Sequence, residues 1–229
     1  MQTHYVKLIR MKKYLAEFIG TFALVFCGTA AIIINQETGG TVTHPGIAFT
    51  FGLIVTVMIY ALGPVSGAHL NPSVTIGFAI TGRLQFKEVL PYISSQVAGA
   101  FAASLTLRFL FPANEFLGTT LPAGPDSQSF ILEFLLTFFL MLVIMQVATG
   151  SKEQGMFAGL AIGSTVLLEA MFAGPVSGAS MNPARSLAPA VISGHLEHVW
   201  IYMLAPTGGA ILSIGVWRLL KEETQTHPE

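Results

Sequence analysis

Charged side chains are scarce in this 229-residue chain: they make up 10% of it, against 52% for hydrophobic residues. Soluble domains carry roughly 25% charged residues, so this composition excludes an ordinary soluble protein and indicates a chain that lies in a lipid bilayer. The formal net charge is -1, and the few Lys and Arg are dispersed. Because nucleic-acid binding requires a basic face, we expect no nucleic-acid partner.

Groups of residues that carry enzyme chemistry are also missing. The single cysteine, Cys27, cannot form a disulfide within the chain. The sequence shows no Cys/His metal spacing, no glycine-rich phosphate loop and no nucleophile and base pair. We therefore expect a protein that is not an enzyme and that uses no metal and no cofactor.

Long apolar runs are what the sequence has instead. Six of them approach or reach the roughly 20 residues that span a hydrocarbon core of about 30 Å as a helix. They are residues 14–34, 46–67, 89–111, 129–149, 155–173 and 199–217. The first follows a basic segment and could imitate a secretory signal. Its apolar run exceeds the usual length of about 7 to 15 residues, however, which favours a retained span.

Two further apolar pieces, residues 71–81 and 182–193, are too short to cross and are predicted to be re-entrant. The placement of basic residues supports this prediction. If neither piece crosses, nine of the 11 Lys and Arg lie on one side, which the positive-inside rule makes the cytoplasmic side. These nine are Lys7, Arg10, Lys12, Lys13, Arg83, Lys87, Lys152, Arg218 and Lys221. We expect an integral protein of the plasma (cell inner) membrane with both termini in the cytoplasm.

The chain is an internal repeat. GPVSGAHLNPS at residues 63–73 returns as GPVSGASMNPA at 174–184, and YLAEFIGTF at 14–22 matches FILEFLLTF at 130–138. Each half reads span, span, short piece, span. Three crossings are an odd number, so the second half enters the membrane from the opposite face. The predicted fold is an all-α membrane protein with six transmembrane helices and two re-entrant half-helices in an inverted repeat.

The predicted organisation follows from these segments. It comprises a cytoplasmic N-terminal tail at 1–13, a first repeat at 14–111, an extracellular connecting loop at 112–128, a second repeat at 129–220 and a cytoplasmic tail at 221–229.

The two short pieces are predicted to form the pore. Asn71 and Asn182 stand at helix N-cap positions, followed by Pro72 and Pro183 at the first helical position. At about 1.5 Å rise per residue, two such half-helices end to end match the membrane core and should meet near its middle. The side-chain NH2 groups of the two asparagines would then be left free to face a shared lumen, where each helix start adds roughly half a positive charge that repels cations and protons. Two surface hairpins with ordinary caps are the alternative.

Charged residues inside the predicted membrane segments are candidates for function. Glu17 and Glu133 occupy equivalent places in the two halves and are predicted to brace the irregular loops, with a proton relay as the alternative. Arg185 is predicted to face a cavity, where it repels cations and binds oxygen atoms of a solute. The alternative for Arg185 is a salt bridge to Glu169 or Glu197. His69, just before the first Asn-Pro motif, is predicted to line the cytoplasmic vestibule or else to stabilise its loop.

These motifs resemble the aquaporin family, also called major intrinsic proteins, over essentially the whole chain. GPVSGA before both motifs and SMNPARSLAPA at the second are most similar to its nodulin-26-like, aquaglyceroporin-type branch. The resemblance implies one pore in each subunit of a homotetramer, which passes water and small uncharged solutes such as glycerol and metalloid hydroxides, arsenous acid included, and excludes ions and protons. Ala184 follows the family pattern, whereas Ser73 stands where Ala is usual in the first motif.

The resemblance also implies an outer constriction, formed here by Phe51, Ala170, Ala179 and Arg185. Water-selective members usually have His at the place of Ala170, so the alanine favours solutes larger than water. Ser186 and Ala190 are instead similar to the residues of water channels. A strictly water-selective aquaporin therefore stays as the alternative, with an ion-coupled secondary transporter as a more remote one.

Overall fold

The apolar runs of the sequence are helical in the computed structural model, which describes residues 2–220, apart from the side chains of residues 2–9 and 154. This described range forms nine α-helices. They are α1 (Gln2–Glu37), α2 (Thr43–Ser66), α3 (Pro72–Ile80), α4 (Phe86–Leu110), α5 (Asp126–Thr149), α6 (Lys152–Met156), α7 (Ala158–Ser177), α8 (Pro183–Ser193) and α9 (Val199–Leu220). The predicted tail at 221–229 lies outside the described residues.

Six of these helices are long enough to span a membrane. By length and composition, α1 from Arg10 onward, α2, α5, α7 and α9 qualify as membrane spans. Helix α4 has 25 residues, about 37 Å of helix. It is less apolar because it carries polar residues such as Gln96 and Ser104, and both of these are buried inside the protein. The six long helices and the two short helices α3 and α8 give the predicted fold.

Large apolar side chains remain exposed on the outer surfaces of the long helices. Leu53 on α2, Leu90 on α4, Leu168 on α7 and Leu204 on α9 are each more than half exposed. Water would make such a surface unfavourable, whereas lipid tails cover it at no cost. The exposed apolar surface is therefore consistent with an integral membrane protein.

Helix packing follows the inverted repeat. Helix α1 packs against α2 and α4, and α5 packs in the same way against α7 and α9. Helix α2 of the first half packs against α7 of the second. Both half-helices, α3 and α8, contact α4 and α9, which are the last long helices of the first and second halves. The two halves are thus interlocked through their half-helices.

Two paired glycines set the contact between α2 and α7. A Cβ atom added at Gly52 would lie 2.7 Å from the carbonyl oxygen of Gly163, and one added at Gly163 would lie 2.5 Å from that of Gly52. Both distances are shorter than van der Waals contact, so neither position accepts a side chain without a shift of the backbone. Small residues of this kind let membrane helices approach closely.

A proline within α7 explains a second contact between the halves. Pro175 has no N–H, so the carbonyl of Met171, four residues earlier, has no helical partner. The Nε2 atom of His44 lies 2.7 Å from that carbonyl oxygen. Because a carbonyl only accepts, His44 must carry its proton on Nε2. The imidazole therefore ties the start of α2 to the proline-interrupted turn of α7.

Candidate pore

The two Asn-Pro motifs begin the half-helices as the sequence predicts. Asn71 caps α3 by accepting a hydrogen bond from the backbone N–H of Ser73 at 2.9 Å. Asn182 caps α8 by accepting from the backbone N–H groups of Ala184 at 3.0 Å and Arg185 at 3.3 Å. Pro72 and Pro183 are the first helical residues, where a missing N–H costs nothing.

The two asparagines also join the loops of the two halves. The Nδ2 atom of Asn71 donates to the carbonyl of Met181 at 2.7 Å, and that of Asn182 donates to the carbonyl of Leu70 at 2.8 Å. The expectation that both NH2 groups are left free is therefore corrected, since one N–H of each holds the opposite loop. Among the described residues, no second hydrogen bond from either Nδ2 atom is present. Both asparagines line the same cavity.

The loops before the half-helices have a strained backbone. Ala68 and Leu70 in the first loop have φ values of 47° and 53°, and Ala179 and Met181 in the second have 42° and 54°. The left-handed region costs a non-glycine residue roughly 1 to 2 kcal/mol. Such conformations persist only where surrounding contacts determine them.

Glu17 and Glu133 supply these contacts in the same way in both halves. Both side chains are 0% exposed. Glu17 accepts from Ser66 Oγ at 2.7 Å, His69 N at 2.9 Å and Leu70 N at 2.8 Å, and Glu133 accepts from Ser177 Oγ at 2.7 Å, Ser180 N at 2.8 Å and Met181 N at 2.8 Å. Two of the three donors named for each carboxylate are backbone N–H groups, which do not pass protons onward, so this geometry favours the brace over the relay.

One tyrosine completes each brace, Tyr92 in the first half and Tyr202 in the second, and the sequence predicted no role for either. The hydroxyl of Tyr92 donates to the carbonyl of Ser66 at 2.8 Å, and that of Tyr202 donates to the carbonyl of Ser177 at 2.7 Å. Their equivalent places in the repeat were the available signal. Each hydroxyl satisfies a carbonyl at the C-terminal end of α2 or α7, where helical partners are absent.

Arg185 lies in the interior and on the cavity wall. Its side chain is 2% exposed, and its Nη1 donates to the carbonyl of Gly118 at 2.8 Å. The guanidinium carbon lies 5.0 Å from the centre of the Phe51 ring, within the range of a cation–π contact. No ion pair joins it to Glu169 or Glu197 in the part of the chain that the structure describes, so the salt-bridge alternative is wrong.

The loop between α4 and α5, residues 111–125, holds the partner of Arg185, and we call it the connecting loop. The sequence predicted a connection here and missed this contact. Leu117 is 0% exposed and packs with Ile33 and Leu107, which anchors the loop in the protein. Thr120 donates to the hydroxyl of Ser186 at 2.8 Å. The loop also contains the apolar residues Phe111, Phe116 and Leu121, and nothing in the sequence distinguished Leu117 from them as the buried anchor.

A cavity of about 140 Å³ connects these groups. A water site needs only about 10 to 15 Å³, so the cavity has room for a chain of waters. Of the predicted site residues, those on its wall are Phe51, His69, Asn71, Ala179, Asn182 and Arg185. Ala170 is 7% exposed, belongs to the hydrophobic core and does not lie on the wall of this cavity, to which α7 contributes Ala158, Ile162 and Val166.

Glu169 is a buried carboxyl with an incomplete set of partners. It is 4% exposed, and it is close enough to Glu133 for the two carboxyl groups to interact electrostatically. One of its oxygens, Oε2, makes no hydrogen bond within the described residues. It is not on the cavity wall, which places it among the packed helices rather than in the lumen.

Six spans and two opposed half-helices around one cavity define a membrane channel. The family model described as major intrinsic protein matches residues 4–217 of the chain. Aquaporin NIP1-3 from Oryza sativa subsp. japonica is 50% identical over 212 residues, covering 92% of this chain and 74% of the relative. Nodulin-26 from Glycine max is 48% identical over 213 residues, covering 92% of this chain and 78% of the relative.

A solved structure shows the same fold. The X-ray structure of the aquaglyceroporin from Plasmodium falciparum aligns with a TM-score of 0.80 at 26% sequence identity, over 91% of this chain and 95% of that one. The chain belongs to the major intrinsic protein family. It is a membrane channel and not an enzyme.

Proposed function

We propose that the protein is a passive channel for water and small uncharged solutes, glycerol and metalloid hydroxides such as arsenous acid among them, and that it excludes ions and protons. One observation carries the proposal. Asn71 and Asn182 begin two opposed half-helices on the wall of one cavity, each with an N–H left over. The oxygen of a passing molecule accepts hydrogen bonds from these N–H groups, and its own hydrogens donate to the neighbouring molecules in the single-file chain.

Positive charge along the passage supports the exclusion of ions. Two helix N-termini each contribute roughly half a positive charge, and Arg185 adds a full charge at the wall. Electrostatic barriers of this kind repel protons and other cations. A coupled transporter would need oxygen ligands for its ion at the meeting point, where this protein presents amide donors.

Small residues at the proposed constriction support solutes larger than water. We assign the constriction to Phe51, Ala179 and Arg185 on the cavity wall, with Ala170 packed in the core behind them, and both alanines have only a methyl side chain. The names of the relatives, aquaporins of the NIP type and an aquaglyceroporin, point in the same direction. The close approach of Arg185 to the Phe51 ring favours the competing function, a strictly water-selective channel.

The exposed apolar surface and the placement of basic residues support a location in the plasma membrane with cytoplasmic termini.

We place His69 in the cytoplasmic vestibule and Glu17 and Glu133 as braces of the loops. We assign a homotetramer on the family resemblance, with a complete pore in each subunit.

Stopped-flow light scattering on proteoliposomes tests the choice of solutes. Gradients of an impermeant osmolyte, of glycerol and of arsenous acid are applied in turn, with protein-free liposomes as the control. We expect water, glycerol and arsenous acid all to cross faster than in the control, with fluxes that rise linearly with the gradient. Acceleration of water alone would favour the strictly water-selective channel. Saturable uptake driven by a proton gradient would favour the transporter.

A further inference from the structure

A chain of hydrogen bonds connects the buried carboxylate of Glu17 to the imidazole of His69. The Nε2 atom of Gln96 lies 2.8 Å from Glu17 Oε2 and 2.9 Å from Thr75 Oγ1, and Thr75 Oγ1 lies 3.2 Å from His69 Nδ1. Glu17, Thr75 and Gln96 are all 0% exposed. Water therefore does not substitute for any of these contacts.

The direction of each bond in the chain is determined by the groups at its two ends. The Glu17 carboxylate already accepts from a hydroxyl and two backbone N–H groups, and a carboxylate only accepts. Gln96 must therefore present its NH2 group to Glu17, and the second hydrogen of that same NH2 points to Thr75. Thr75 donates its own hydroxyl hydrogen to the carbonyl of Asn71 at 3.1 Å, the bond to residue i−4 that helical Thr commonly makes.

Thr75 then offers His69 only a lone pair, so His69 must donate from Nδ1. A neutral imidazole carries one proton, and its other nitrogen is an acceptor. No bond to Nε2 of His69 is present within the described part of the chain, and this atom is not among the fully buried unpartnered ones. The imidazole lies on the cavity wall and is held by stacking on Phe78, with ring centres 4.5 Å apart.

We propose that Glu17, acting through Gln96 and Thr75, fixes His69 in the Nδ1–H tautomer, so that Nε2 is a hydrogen-bond acceptor on the pore wall for the hydroxyl protons of passing solutes. Gln96 and Thr75 are positioning residues, and His69 is the residue that contacts solute. The inference rests on the proposed function for what passes the pore, whereas the tautomer itself is independent of it.

The second half of the protein has no such acceptor. The repeat places Ser180, Ser186 and Pro206 where the first half has His69, Thr75 and Gln96. The hydroxyls of Ser180 and Ser186 lie 2.5 Å apart, so this contact replaces the one between His69 and Thr75. The second half has no imidazole at this place and no glutamine side chain that connects it to the buried carboxylate of Glu133. Among the described side chains, the cavity wall therefore has amide donors at its two asparagines and an imidazole acceptor in the first half only. Water, polyols and undissociated hydroxides can pair with both the amide donors and the Nε2 acceptor of His69. A solute without O–H or N–H leaves this acceptor unpaired, so the pore selects against such a solute.

Nitrogen NMR of the full-length protein in lipid, labelled with 15N-histidine, tests the tautomer directly. The spectrum is recorded at about pH 8, above the ordinary histidine pKa of about 6.5, so that the rings are neutral. The His69→Asn variant identifies the His69 signals by their loss. His44, bound through Nε2 to the Met171 carbonyl, is an internal reference for the opposite tautomer. We expect Nδ1–H for His69 and Nε2–H for His44; an Nε2–H signature at His69 would overturn the proposal.

Variants of Thr75 test the positioning role. Thr75→Ser keeps the hydroxyl and should keep the single Nδ1–H signature. Thr75→Val keeps the shape and removes the acceptor, so we expect a mixture of tautomers and a several-fold lower glycerol flux relative to water flux in proteoliposomes. An unchanged Nδ1–H signature in Thr75→Val would show that Thr75 does not position the ring. If Thr75→Val does not fold, the 15N-histidine spectrum of the unaltered protein alone decides which tautomer His69 adopts. A correct tautomer in a protein without solute flux would reject the proposed function and leave the hydrogen-bond chain intact.

Discussion

The buried glutamates Glu17 and Glu133 explain how an irregular loop persists inside a membrane protein. Each loop holds two non-glycine residues in the left-handed region, and each has backbone N–H groups that no helix satisfies. A carboxylate accepts several such donors at once, which a neutral side chain of the same size cannot do. Charged residues at membrane depth are costly, so this arrangement is retained only where it determines structure.

Replacing Glu133 by Gln should destabilise the protein. The amide has a single acceptor oxygen and turns an NH2 toward donors, so at least one of the buried N–H groups of Ser180 and Met181 loses its acceptor. Such a loss costs about 1 to 3 kcal/mol. Thermal unfolding in detergent, followed by tryptophan fluorescence, should show a lower midpoint for Glu133→Gln, and an unchanged midpoint for Glu115→Gln, an exposed control. Normal stability together with a new proton leak would instead support the relay.

Phe51 should control the size of the solutes that pass. Its ring lies beneath the Arg185 guanidinium and against Gly28, which fixes its position at the cavity wall. Phe51→Ala removes this ring and should raise glycerol flux more than water flux, whereas Ala170→His adds a polar ring and should do the reverse. Stopped-flow measurements on both variants check this, with Phe49→Ala, an exposed position on the same helix, as the control. Equal changes for water and glycerol would contradict the assigned constriction.

The half-helices are the elements that the sequence predicted best. Asn followed by Pro is a strong N-cap signal, and the observed helices Pro72–Ile80 and Pro183–Ser193 begin one residue after each asparagine. Gly194 ends the second in the left-handed conformation. Local chemistry determines both ends, so a single sequence is sufficient to locate them.

The contacts between elements were harder to predict. Arg185 binds the carbonyl of Gly118, and each pore asparagine binds a carbonyl of the opposite loop. Every residue has a carbonyl, so no residue type in the sequence marks these acceptors. The connecting loop reaches Arg185 because Leu117 anchors it, and a few scattered apolar residues give too little signal to predict which of them is buried. Ala170 is buried but does not line the cavity. The residues of α7 that line the cavity are determined by the rotation of the helix about its axis, which the number of residues from the Asn-Pro motif does not give.

The contact of α2 with α7 should be sensitive to a single methyl group. A Cβ at Gly163 meets Thr56 Oγ1 and the Gly52 carbonyl, so Gly163→Ala must push the two halves apart. Overpacking of this kind costs about 1 to 3 kcal/mol. Gly215→Ala on α9, where a Cβ meets open space, is the matched control and should not lower the unfolding midpoint. Equal midpoints for the two variants would mean that the contact tolerates a larger separation.

At the scale of the whole molecule, the inverted repeat was predictable because it rests on hydropathy, spacing and basic residues summed over long segments. The departures from this symmetry were not predictable from the sequence. Gln96 extends the first brace to Thr75 and His69, while the second half places Pro206 at the equivalent position. The connecting loop binds Arg185, a residue of the cavity wall that belongs to the second half. A symmetric scaffold thus carries an asymmetric passage, with a fixed cation near one asparagine and an imidazole near the other.

The central claim is that neutral molecules pass the two asparagines and protons do not. Water efflux and proton influx measured on the same proteoliposomes, by light scattering and by an enclosed pH-sensitive dye, test it most directly. The account predicts water permeability well above that of protein-free liposomes, with proton permeability equal to theirs. Water permeability no higher than that of the lipid, or proton influx that rises together with it, would contradict the account.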